Sequence, residues 1–114
     1  LLMCDSKECI KIINNTPENV KLLLDVAHLK VSSNSLNFDP IEFIKECNHI
    51  IGGYHLSDNN GTSDSNDPFL EDSWFWNHIK PNLDYYSIEV YNQTNEKIKL
   101  LKDMVKNKLK SLNK

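Results

Sequence analysis

The 114-residue chain has no excess of positive charge, no apolar run near the length a membrane span needs, and no CxxC pair. Each absence removes a class of function. With a net charge of −3, a nucleic-acid role built on a basic patch is disfavoured. A transmembrane helix takes about 20 consecutive apolar residues, and no charged-then-apolar leader opens the sequence, so a cytoplasmic protein is expected. Cys4, Cys9 and Cys47 are odd in number and irregularly spaced, which suits reduced cytosolic thiols better than a disulfide framework or a zinc ribbon. No low-complexity segment or linker divides the chain, so one domain is expected over 1–114. The first residue is leucine, which suggests a piece of something longer.

What is present alternates. Residues 5–14 predict a helix capped by Asp5 or Ser6, with Cys9, Ile10, Ile12 and Ile13 as its apolar stripe. Residues 20–28, VKLLLDVAH, have the apolar density of a strand buried in a parallel sheet. A polar loop, KVSSNSLNF, is expected next. Asp39-Pro40 then opens a second helix, with the cap at Asp39 and proline at the first helical position. GGYHLSD reads as the second strand, SWFWNHIK as a short helix capped by Ser73 or Asp72, and DYYSIEVY, residues 84–91, as the third strand. Thr94 or Asn95 caps a final helix, whose apolar residues Ile98, Leu101, Met104, Val105, Leu109 and Leu112 fall on one face, its lysines forming a solvated one.

A helix followed by three strand-helix units implies parallel strands with helical crossovers. Asp25 to His55 is 30 residues and His55 to Glu89 is 34. A βα unit of a closed eight-stranded barrel averages roughly 31, from about 250 residues over eight units. The expected fold is therefore α/β, the C-terminal part of a (β/α)8 TIM barrel.

Each expected strand ends in a metal-capable side chain: Asp25, His55 and Glu89. Strand alternation puts Leu22, Leu24 and Val26 on one side and Leu23 and Asp25 on the other. Likewise Tyr86, Ile88 and Val90 oppose Ser87 and Glu89, so the acids lie away from the face that helices would cover. One imidazole and two carboxylates suit a hard or borderline divalent ion such as Mn²⁺, Mg²⁺ or Zn²⁺. Buried together without a cation, the two acids would be costly. After His55 runs the long polar loop SDNNGTSDSNDPF, where Asp58 and Asn59 either orient the histidine and bind substrate hydroxyls or simply cap the loop. Trp74, Phe75 and Trp76 read as packing residues before sugar-stacking ones, and His49 and His78 as surface residues.

DVAH at 25–28, HLSDNNG at 55–61 and IEVY at 88–91 resemble the closing motifs of the xylose-isomerase-like barrels. That superfamily includes sugar isomerases, ketose epimerases, inosose dehydratases and endonuclease IV-type nucleases. The resemblance covers essentially the whole chain. It implies one divalent ion (Mn²⁺, Mg²⁺, Co²⁺ or Zn²⁺) held by Asp25, His55 and Glu89, with His28 on substrate oxygens. Glu89 would also be one of two glutamates that exchange a proton through an enediolate of a small sugar or sugar derivative. The family's fourth ligand, a Glu on the preceding strand, would lie before Leu1, so the fragment alone should bind metal weakly and turn over little. Where many relatives carry D-x-H-x-P-x-G-x-G, this chain has DSNDPFLED, with Asn66 in the histidine position. That departure weakens the alternative of an endonuclease IV-like phosphodiesterase. A third expectation is a non-catalytic partial barrel whose open sheet edges and bare interior face invite association, including with itself.

Overall fold

The computed structural model describes residues 5–113. Helix α1 (Ser6–Asn14) starts where the Asp5 carboxylate accepts the Lys7 amide, satisfying one of the four amides that every helix leaves without an internal partner. Strand β1 (Leu22–Asp25) runs directly into α2 (Val26–Leu36), and α3 (Pro40–Cys47) follows with Asp39 as its cap and proline in its first turn. Strand β2 (Ile51–Leu56) leads into a long connection whose only helical feature is a 3₁₀ turn at Trp76–His78. Strand β3 (Tyr86–Ile88) and α4 (Asn95–Leu112) complete the order.

The result is an α/β fold with a three-stranded parallel sheet in the order β1-β2-β3 and four α-helices among the described residues. Leu24, Tyr54 and Leu56 point to the helix-covered side and are wholly buried. Tyr86 and Ile88 pack against the same core. The opposite face stays open, with Leu23 41% and Tyr85 50% exposed. Gly53 permits the close approach of β2 to the chain entering β3. A Cβ there would come within 2.9 Å of Tyr85 Cδ1 and 3.1 Å of the Tyr85 carbonyl oxygen.

Two elements depart from the sequence reading. The stretch expected to finish a strand and become a loop is α2, with Ala27, Leu29, Ser32 and Ser33 buried against the sheet and α3. It ends at Asn37, whose φ of 61° is left-handed. Conversely, the helix expected over SWFWNHIK is only the three-residue turn. Ser73, one of its expected caps, instead accepts the Leu70 amide and donates to Asp58.

Phe75 and Trp76 are buried as packing residues, with Phe69 edge-on to both at 6.1 and 5.6 Å. The final helix matches its expected face. Leu101 and Val105 are buried, and Thr94 caps it by accepting the Lys97 amide at 3.1 Å. Thr94→Ala should therefore cost about 1 kcal/mol in urea unfolding, by stranding that amide in an otherwise unchanged fold. Cys9 and Cys47 are buried thiols, whereas Cys4 lies outside the described residues.

Candidate functional site at the strand ends

Parallel pairing sets Asp25 beside His55 and His55 beside Ser87, so Glu89 stands just beyond β3 at the same end of the sheet. The Glu89 amide still donates to the Leu56 carbonyl at 3.0 Å, which holds the residue in line with β2. The C-terminal ends of parallel strands are where open α/β sheets place ligands, because the chain turns away there and leaves a crevice.

His55 occupies the centre. Its Nδ1 lies 3.9 Å from Asp25 Oδ2 and its Nε2 3.8 Å from Glu89 Oε1. Asp25 has a second task. One oxygen accepts the His28 amide at 2.9 Å, capping α2, and the other meets His28 Nδ1 at 2.9 Å. His28 Nε2 is in turn held by Asp64 from the long loop. Acid and imidazole thus alternate through Asp64, His28, Asp25, His55 and Glu89, from a buried Asp25 to rim residues about a third or more exposed. Each imidazole stands between two carboxylates.

The sequence reading named four of these five residues and missed Asp64. Asp64 entered that reading only within the polar loop, as the first residue of DSNDPFLED, and its meeting with His28 spans 36 positions. His28, expected to touch substrate, has both ring nitrogens engaged by carboxylates.

Asp58 and Asn59 are bound into the loop. The Asp58 carboxylate accepts Lys30 Nζ at 2.9 Å, the Asn59 amide at 2.8 Å and the Ser73 hydroxyl at 2.8 Å. Its backbone exchanges two hydrogen bonds with Asp67. Asn59 is buried, donates to the Ala27 carbonyl at 3.1 Å and accepts the Gly61 amide at 2.8 Å. Asn34 adds a bond to the Gly61 carbonyl at 2.9 Å. Of the two readings of Asp58 and Asn59, the loop-capping one describes these contacts. Lys30, Asn34 and Ala27 all belong to α2, so the helix missed in sequence is the one that carries the loop. Asn66, at φ 51°, donates to the Glu89 carbonyl at 2.7 Å and accepts the Tyr91 amide at 3.1 Å, clipping the loop to the end of β3.

The donor types of Asp25, His55 and Glu89 suit a divalent ion. Their placement does not gather them on one point: the two acids face opposite nitrogens of the His55 ring, and an imidazole binds one ion through a single nitrogen. Accordingly, no group of three or more His, Cys, Asp and Glu arranged to hold an ion occurs among the described residues. No helix of the described residues is long and apolar enough to cross a membrane.

Comparison with protein-family models, curated proteins and solved structures finds no match to this chain.

Proposed function

We propose that these strand ends form the proton-transfer site of an isomerase or epimerase acting on a small polyhydroxy carbonyl compound. In this reading the three strands are neighbours in a (β/α)8 barrel, the open sheet face turned inward. The observation that carries it is the row of Asp25, His55 and Glu89 at the ends of adjacent parallel strands, on the face no helix covers.

Glu89 is the base that removes a proton from the carbon next to the carbonyl, and a second carboxyl group delivers a proton to the opposite face of the resulting enediolate or to its neighbouring carbon. Its backbone is fixed on both sides, by Leu56 at the amide and Asn66 at the carbonyl, which keeps the carboxylate in register with His55. His55 stands between Asp25 and Glu89, 3.9 and 3.8 Å from their carboxylate oxygens, and sets the space beside the base. His28 and Asp64 form the rim, where His28 would reach substrate oxygens by exchanging its contact with Asp64, while the bonded loop of Asp58 and Asn59 walls the pocket. A divalent ion, Mn²⁺, Mg²⁺, Co²⁺ or Zn²⁺, is part of the proposal by donor type alone: Asp25, His55 and Glu89 would have to turn onto one point to hold it, and it would supply Lewis-acid polarisation of the carbonyl. The reading also calls for a second glutamate from a preceding strand, outside this sequence.

Calorimetric titration with Mn²⁺ and Zn²⁺ tests it. One ion per chain is expected, bound about tenfold or more weakly by Asp25→Ala and by His55→Ala. A chain extended upstream by one strand should bind more tightly. Silence in both the chain and its extended form would sink the metal-dependent reading.

A further inference from the structure

Helix α4 carries Lys99, Lys102, Lys106 and Lys110 within one sector about 80° wide, along about 16 Å of its axis. All four are exposed, on the side away from the buried Leu101 and Val105. No ion pair engages any of the four among the described residues. The charge is unevenly shared, since residues 95–114 hold seven of the 13 lysines and only two of the 16 acids. The body of the chain is acidic and its last helix is basic.

A complementary feature lies between α1 and α3. A groove of about 200 Å³ is lined by Asp5, Asp39, Glu42 and Glu46, with Phe38 and Phe43 beneath them. The two phenyl rings are 5.9 Å apart. Asp39, Glu42 and Glu46 recur at i, i+3 and i+7, the spacing of Lys99, Lys102 and Lys106. All three acids are exposed, and Glu42 has only Lys45, at 3.9 Å, as a cation partner among the described residues. An apolar floor under an acidic rim fits a lysine side chain, whose stem covers the rings while the ammonium meets the carboxylates.

We propose that the chain associates head to tail, the lysine ridge of α4 from one copy seating in the acid-rimmed groove between α1 and α3 of the next. The two surfaces differ, so the contact is heterologous and leaves a groove free on one copy and a ridge free on the other for further neighbours. Exposed pairs are weak singly and screened by salt, so the association depends on ionic strength.

Sedimentation velocity of the full chain at about 20 mM and about 0.5 M salt provides the test, the Debye length shrinking severalfold between them. Association at low salt should weaken at least tenfold at high salt. Lys102→Glu/Lys106→Glu and Glu42→Lys/Glu46→Lys should each be monomeric at low salt, and an equimolar mixture of the two should associate again. Recovery on mixing separates a lost contact from a lost fold, because neither variant is repaired by refolding alone. A wild-type chain that stays monomeric at low salt, or reversal variants that associate as well as wild type, would overturn the proposal. So would a monomer whose α4 lysines instead bind a nucleic-acid duplex, which would assign the ridge to phosphate.

Discussion

Phe69→Ala should lower the unfolding free energy by about 3–5 kcal/mol, the usual cost of removing a buried phenyl ring. Phe69 has no exposed surface and touches both Phe75 and Trp76 edge-on. Trp76 is further fixed by its indole N–H, which donates to the Leu70 carbonyl at 2.8 Å. Removing the ring leaves a cavity bounded by two rigid aromatics that cannot collapse into it. Against a total of about 5–15 kcal/mol for a domain, this is a large fraction. A fall in Tm of roughly 10–20 °C should accompany it at this chain length. Phe69→Leu should cost much less, since most of the volume is kept. Because Phe69 pins the loop that carries Asp64 and Asn66, the alanine variant should also loosen the rim. A loss under about 1 kcal/mol would mean that the long connection does not dock on the core.

Cys47 should react with iodoacetamide about a thousandfold more slowly at pH 8 in the native chain than in the unfolded one. Burial, then the neighbouring Cys9, then Glu46 push its thiol from 9.0 up to about 12. The thiolate is the attacking species, and three units of pKa remove about that factor of it. Peptide mapping after timed labelling, with and without denaturant, reads the ratio at Cys47. The native rate should climb tenfold per pH unit. The sign for stability follows from the same shift. The folded chain holds the proton more tightly, so this contribution is complete below pH 9 and is lost as pH rises through 9 towards about 12. Cys47 Sγ lies 3.8 Å from the Ser6 carbonyl, which places α1 directly over it. Native labelling within tenfold of the unfolded rate would therefore show that α1 opens locally.

Helix ends were legible where a side chain caps its own neighbours: Asp5, Asp39 and Thr94 act two or three residues away, and their bonds are those the sequence implied. Strand alternation was legible for the same local reason. It placed Leu24 in the core and Asp25 and Glu89 on the opposite side from it, next to His55. The parallel order followed from spacing, since a strand, a long connection and another strand leave little else to form.

The site's rim was not legible. Helix α2 is rich in serine and asparagine, poor helix formers whose side chains compete for the backbone, so its sequence reads as loop. Packing of Ala27, Leu29, Ser32 and Ser33 against the sheet and α3 outweighs that preference. The aromatic trio failed in the opposite direction. Helical in pattern, it is held as a turn by Phe69 and by Ser73's bond to Asp58. Asp64 meets His28, and Lys30 meets Asp58, only after β1, α2 and β2 have assembled. The sequence by itself determined the capped helices, the strand faces and the acid or histidine at each strand end, because those depend on neighbours a few residues apart. The tertiary structure decided what each of those side chains faces, because contacts across about 30 residues exist only once the sheet has formed.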